Sequence, residues 1–348
     1  MPYYIFTFST FNPLSFISLL KKFLMKAIQL PHYGAADQLR YEEIPTPRAG
    51  PGQVLVRVRA AAVNPLDSKI ASGALQQLMP LTFPWTPGND FAGTVEAVGA
   101  GVTTVKPGQQ VYGTGSAGGA YAEYFVAAAE TVAPKPTTLS FVEAASVPVG
   151  ALTAWQGLTR GGQLKAGQPV LIHGGAGAVG AYAVQFAHQL GAHVIATAAA
   201  EDLDFVRSLG ADEVIDYHAT RFETVVQDMD VVFDLVGGDT QQRSFAVLKP
   251  GGYLVATSQP PSAEEAAKHG VHGVMFQMKP SAEDLARVAR QLDAGTLKID
   301  VARTYPLAQA GQAWADSTRH HPAPGGAPAA GPPVAAPKPH GKIVLEVH

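Results

Sequence analysis

The stretch Val170-Leu171-Ile172-His173-Gly174-Gly175-Ala176-Gly177-Ala178-Val179-Gly180 constrains this chain more than any other. A short apolar strand runs into a glycine-rich turn, and residues 181–190 can then form a helix closed by Gly191. A strand that feeds straight into a helix is the first half of a crossover that brings the next strand back parallel. The rhythm continues as a strand over 193–197, a helix over 204–209 closed by Gly210, and strands over 213–216, 231–235 and 253–257. Such alternation predicts an α/β unit on a parallel, doubly wound sheet.

Before Pro148 the rhythm differs. Residues 53–59 alternate polar and apolar side chains, residues 93–99 repeat this between glycines, and a Pro107-Gly108 turn precedes another strand near Val111. Such a run of turn-separated strands predicts a barrel or rolled sheet. A chain of 348 residues has room for both units. Residues 286–292 add a helix and 341–347 a final strand. Between them, 320–340 is rich in Pro, Ala and Gly, too poor in apolar bulk to bury a core, and is expected to be a loop or linker. The pair His320-His321 inside it is not read as a metal site.

The formal net charge is −3 and no basic stripe is present, which argues against nucleic acid as a partner. Cysteine is absent, which removes disulfides, thiolate nucleophiles and every cysteine-bearing zinc site, and fits the cytoplasm. Residues 5–20 are apolar but broken by Asn12-Pro13 and too short to span a bilayer, so no stable membrane insertion is expected. Lys21-Lys22 follows this run, whereas a secretory signal carries its charge in front. Residues 1–24 are read as an extension outside the fold, or alternatively as a weak membrane-contacting or targeting segment, with Met25 starting the first strand.

The spacing Gly175-x-Gly177-x-x-Gly180 between a strand and a helix matches the dinucleotide fingerprint. Gly175 permits the tight turn, Gly177 lets the backbone approach a pyrophosphate, and Gly180 lets helix pack on strand. Ala176, Ala178 and Val179 complete the loop, whose free amides and helix dipole face the diphosphate. The second strand reaches Thr197, placed with the cofactor contacts, and then Ala198-Ala199-Ala200. No carboxylate stands there to accept ribose hydroxyls, which favours NADPH, but no Arg or Lys stands there either, so NADH stays open.

Together with this loop, the stretches Ala61-Ala62-Val63-Asn64-Pro65-Leu66-Asp67, Pro87-Gly88-Asn89-Asp90-Phe91-Ala92-Gly93, Ala151-Leu152-Thr153-Ala154-Trp155, Gly210-Ala211-Asp212-Glu213-Val214-Ile215-Asp216-Tyr217, Asp234-Leu235-Val236-Gly237-Gly238 and Leu248-Lys249-Pro250-Gly251-Gly252 make the chain resemble the medium-chain dehydrogenase/reductase superfamily, in its zinc-free quinone oxidoreductase-like branch. The resemblance implies a GroES-like barrel over 25–148, a Rossmann domain over 149–285, and a return to the barrel over 286–348. The nicotinamide would lie in the cleft between them, and the superfamily implies a homodimer or homotetramer.

Zinc-dependent relatives carry Cys, His and an acid in that cleft, where this chain has Asn64, Asn89 and Asp90, so no metal site is expected. Without a metal, hydride transfer suits an acceptor that is already electrophilic, such as a quinone or an enone. Asn64 is the candidate donor to the developing oxyanion, by resemblance and by its neutral amide. Asp67 either orients its neighbours or simply caps a helix after Asn64-Pro65. The resemblance places Thr153 near the cofactor phosphates, with helix capping as its other reading, and Tyr217 near the adenosine phosphate, or else merely exposed at a strand end. It sets Val236 and Gly237 along the nicotinamide, with Ser258 nearby. His173 is read as a satisfied strand-end histidine. The implied activity is NADPH-dependent quinone reduction; a 2-alkenal or enone reductase and a non-catalytic dinucleotide-binding protein are the alternatives.

Overall fold

A computed structural model describes residues 24–320 and 340–348; the expected extension up to residue 23 and most of segment 320–340, His321 included, lie outside the described residues. In the first part, β1 (Leu24–Gln29) pairs antiparallel with β2 (Arg40–Pro45), one residue earlier than the expected start at Met25. There follow β3 (Gln53–Ala62), β4 (Asp90–Val98), β5 (Gln110–Thr114), β6 (Tyr124–Ala128) and β7 (Val132–Pro134). Beyond the helix Pro148–Gln156 come β8 (Pro169–His173), β9 (His193–Ala198), β10 (Glu213–Asp216), β11 (Met229–Asp234), β12 (Leu248–Ala256) and β13 (His272–Met275). The chain closes with β14 (Val301–Pro306), the helix Ala310–His320 and β15 (Lys342–Glu346).

Six strands form an all-parallel sheet in the order β10-β9-β8-β11-β12-β13. Its strands read as continuous apolar runs because both faces are covered. Val170, Ile172, Val194, Val231, Phe233 and Val255 enter the core on one face, and Leu171, Ile195, Val232 and Leu254 the core on the other, as the period of two requires. The other large sheet runs β14-β15-β3-β4-β5-β7, with β6 also on β3. Here β15 pairs antiparallel with β3, joining Val344, Leu345 and Glu346 to Ala62, Ala61 and Ala60. The C-terminal strand therefore completes the sheet begun near the N-terminus, as in the expected GroES-like and Rossmann pairing.

The helix Ala282–Asp293 runs unbroken through position 285 and buries Leu285, Val288 and Leu292 in the core shared with β8 and β11. Its N-terminus is capped by the Ser281 hydroxyl, which accepts from the Asp284 amide at 3.2 Å. The same buried side meets the barrel, where the Tyr112 hydroxyl donates to Leu285 O at 2.6 Å.

Candidate active site

In the parallel sheet, β8 and β11 are neighbours, but the chain leaves β8 toward β9 and β10 and returns to β11 on the other side. Such a switch in direction opens a crevice at the carboxyl ends of the two strands, where ligands of open α/β sheets bind. The loop 174–180 forms one wall and the turn 235–237 the other. A Cβ placed on Gly174 would lie 3.6 Å from Val236 Cγ2.

The three fingerprint glycines are required for different reasons. A Cβ on Gly175 would sit 3.0 Å from Ala196 Cβ and 3.1 Å from Val206 Cγ1, so this residue is held against the sheet and the next helix. One on Gly180 would lie 2.0 Å from Gly174 O, an overlap with backbone that no side-chain movement relieves. On Gly177 it would meet only Gly174 O, at 3.3 Å, a tight contact but far milder than the overlap at Gly180. Gly174, Gly175 and Gly177 spend their amides on Thr197 Oγ1, Thr197 O and Gly174 O. Those of Ala176, Ala178 and Val179 have no acceptor among the described residues. Three free amides at a helix N-terminus suit an anion such as a diphosphate.

Thr197 and His173 support this loop from behind. Both are buried, and His173 Nδ1 lies 3.1 Å from Thr197 Oγ1 while Nε2 lies 3.0 Å from Ser244 Oγ. Ser244 donates its proton to Thr240 O at 2.7 Å, so it accepts from Nε2–H, and Nδ1 accepts from Thr197. Burial, with Arg243 nearby, pushes the His173 pKa down to about 3. The imidazole is thus a neutral bracket, as expected.

Tyr217 is exposed just beyond β10, its amide donating to Ala198 O at 3.2 Å, which brings it beside the end of β9. Partial burial first, then Glu201, Asp202 and Asp216, raise its pKa. Thr153 is buried in the interior of Pro148–Gln156, whose N-cap position is Val147, so it does not cap that helix.

On the facing wall of the crevice Val236 is 47% exposed and presents an apolar surface. Gly237 has φ +84, and a Cβ there would lie 2.5 Å from Ser258 Oγ. That Ser258 hydroxyl is buried without a partner among the described residues. An orphaned hydroxyl between two strand-end turns marks a place where a polar ligand group fits. With the free loop amides, it makes the crevice suitable for a dinucleotide lying across both strand ends.

In the barrel, Asn64 and Asp67 are both buried and directly linked. The Asn64 amide N–H donates to Asp67 Oδ2 at 3.1 Å, capping the helix Pro65–Ala71, and Asn89 Nδ2 donates to Asp67 Oδ1 at 3.0 Å. The N-cap of that helix is Asn64 and not Asp67, which is its third residue and reaches back to close the capping box. The Tyr121 hydroxyl also reaches Asp67 Oδ2 at 3.3 Å, and Trp314 Nε1 donates to that hydroxyl at 3.2 Å. Burial above all, opposed by the Asn64 amide and reinforced by Asp90, raises the Asp67 pKa to about 7.

The Asn64 side chain is aimed by a second carboxylate. Nδ2 donates to Asp90 Oδ2 at 3.2 Å, and Lys342 Nζ lies 2.6 Å from the same oxygen. The Val149 amide donates to Asp90 Oδ1 at 3.1 Å. Asp90 therefore joins β4, the C-terminal β15, the Asn64 turn and the first helix of the Rossmann domain. Lys342, Tyr121 and Trp314 belong to this cluster although no motif in the sequence marks them. The available signal was a lysine opening an otherwise core-forming strand. Among the described residues no cluster of three or more His, Cys, Asp or Glu side chains is placed to hold a metal ion.

This architecture has close parallels. The Alcohol dehydrogenase GroES-like domain family matches residues 50–137, and the Zinc-binding dehydrogenase family matches 209–322. The Chloroplast envelope quinone oxidoreductase homolog of Arabidopsis thaliana is 33% identical over 316 residues, covering 86% of this chain and 96% of that protein. The chain belongs to the quinone oxidoreductase-like medium-chain dehydrogenase/reductases. A second member, the NADPH-dependent alkenal/one oxidoreductase, chloroplastic, of the same plant, is 34% identical over 85% of this chain and 77% of its own length. The structure of the quinone oxidoreductase from Coxiella burnetii superimposes with a TM-score of 0.83 at 32% identity, covering 93% of this chain and all of that one. Like these medium-chain dehydrogenase/reductases, the chain is an oxidoreductase that uses a nicotinamide cofactor. No helix among the described residues is long and apolar enough to cross a membrane.

Proposed function

We propose that this quinone oxidoreductase-like protein is a zinc-independent, NADPH-dependent enzyme that delivers hydride to a quinone or a similar conjugated carbonyl. The observation that carries the metal-free reading is the state of Asp90. Its carboxylate is already engaged by Lys342, Asn64 and Val149, so the one acid at the position of the zinc relatives' acid is committed to an ammonium. Asn64 and Asn89 beside it contribute amides, which are poor zinc ligands.

When bound, the nicotinamide supplies a hydride to an electrophilic carbon. Loop 174–180 holds the diphosphate with its free amides, and Thr197 and His173 keep that loop in place. Val236, Gly237 and Ser258 bound the nicotinamide end, while Thr153 and Tyr217 stand toward the phosphates and the adenosine. Asn64 has one amide proton spent on Asp90; the other is available to a developing oxyanion. Asp67 fixes the Asn64 backbone from beneath. The alanines closing β9 and the relative named as NADPH-dependent support NADPH, and Glu201 and Asp202 oppose it electrostatically. A cytoplasmic homodimer or homotetramer completes the reading.

Purified protein mixed with NADPH or NADH and a panel of quinones, enals and enones, followed by cofactor absorbance, tests it. Quinone-dependent NADPH consumption supports the proposal. Preference for enals moves the acceptor to the alkenal reductases, and binding of both cofactors without consumption of either refutes catalysis.

A further inference from the structure

The parallel sheet buries a carboxylate for which the proposed chemistry has no direct use. Asp234 ends β11 with no solvent exposure. Its Oδ1 accepts the amides of Val236 at 3.0 Å and Gly237 at 2.8 Å. Its Oδ2 accepts Gln241 Nε2 at 3.0 Å, and Gln241 is itself fully buried. The same Nε2 donates to Gln259 O at 3.1 Å, and Gln259 Nε2 returns a bond to Gln241 Oε1 at 3.2 Å. One carboxylate and two amide side chains thus tie the turn after β11 to the turn after β12.

These two turns enclose the partnerless Ser258 hydroxyl and carry the exposed face of Val236. Gly237, held at φ +84, brings its Cα side within 2.5 Å of Ser258 Oγ, measured from where a Cβ would stand. A turn in this conformation needs its amides satisfied on the inner side, and a buried carboxylate does that more strongly than a neutral acceptor. Water cannot substitute, because the group is sealed inside the sheet end.

We infer that Asp234, through Gln241 and Gln259, is a positioning residue that sets the nicotinamide end of the cleft and leaves the adenosine end untouched. The inference rests on the proposed placement of the cofactor. It assigns Asp234 no contact with substrate: the carboxylate acts through the Val236-Gly237 turn and Ser258. The diphosphate loop is held mainly by Thr197, whose hydroxyl and carbonyl accept the Gly174 and Gly175 amides. His173 behind it also meets Ser244, on the helix Gly238–Ser244 that carries Gln241.

Asp234→Asn tests this. The new side-chain oxygen still accepts from the two amides, but its NH2 faces the Gln241 NH2, so the link to β12 is broken. The expected result is a fall in kcat of tenfold or more, with affinity for ADP, the adenosine half alone, within twofold of the parent. Adding Gln241→Glu gives the new amide at position 234 a carboxylate to donate to, keeps the buried charge and should recover most of the lost rate. If Asp234→Asn does not fold, Gln241→Met removes only the outer anchor and should give a smaller fall in kcat, again with ADP binding retained. An unchanged kcat, an equal loss of ADP affinity, or failure of Gln241→Glu to rescue overturns the inference. Absence of cofactor oxidation by the parent protein would instead refute the proposed function.

Discussion

Lys342 Nζ lies 2.6 Å from Asp90 Oδ2, with the lysine side chain 6% exposed and the aspartate fully buried. The pair joins the last strand of the chain to the centre of the barrel and leaves Asn64 Nδ2 on the same oxygen. A buried pair of this kind adds little stability over an apolar substitute, yet removal of one partner strands a charge.

Lys342→Met is therefore expected to destabilise the protein by about 3–5 kcal/mol, and Asp90→Asn combined with Lys342→Met to recover much of that loss. Urea unfolding of the three proteins measures it. Equal losses in the single and double variants would show that the ion pair carries no such weight.

The glycine loop separates folding from binding. Gly180→Ala forces a Cβ to 2.0 Å from Gly174 O and should lower thermal stability sharply. Gly177→Val meets only the Gly174 carbonyl, at 3.3 Å, and should lower the melting temperature far less than Gly180→Ala while weakening NADPH binding at least tenfold. Calorimetry and cofactor titration read the two effects, and similar behaviour of both variants would contradict the assignment.

Two buried groups give opposite pH dependences. Asp67 has a folded pKa of about 7 against 3.8 unfolded, so its contribution to stability is full below 3.8 and is lost as pH rises through 7. His173 has about 3 against 6.5, so its contribution is full above 6.5 and is lost as pH falls toward 3. Between pH 3.8 and 6.5 the slopes oppose, each at about 1.4 kcal/mol per unit. Asp67→Asn should therefore steepen the loss of stability on acidification, and His173→Gln should reverse it. Parallel stability–pH curves for the two variants would refute the linkage.

Asn64→Ala removes the amide donor and should reduce kcat by about 10²-fold, the scale typical of one oxyanion donor, with cofactor affinity unchanged. Steady-state kinetics with cofactor titration checks this, and an unaltered kcat would exclude Asn64 from the reaction.

Much of the parallel sheet could be read from the sequence because its signals are local. Residues 170–191 contain the strand, the turn and the helix with its glycine stop, and the structure has β8 and the helix Gly180–Gln189 there. The short edge strand β13 and the polar β14 carry no comparable apolar pattern, and neither was expected. The site was legible only in pieces. Asn64, Asp67 and the glycines lie in compact motifs, whereas Lys342 is 252 positions from Asp90 and meets it only because β15 pairs with β3. Nor could local sequence tell that the Asp67 carboxylate meets Tyr121, which Trp314 in turn supports from the helix Ala310–His320. Such contacts are made by topology.

Hydride transfer without a metal stands or falls on exhaustive chelation. Protein dialysed against a strong chelator, verified metal-free, and assayed with NADPH and a quinone should keep its full rate and gain nothing from added zinc. Loss of activity on chelation, restored by zinc, would contradict the account.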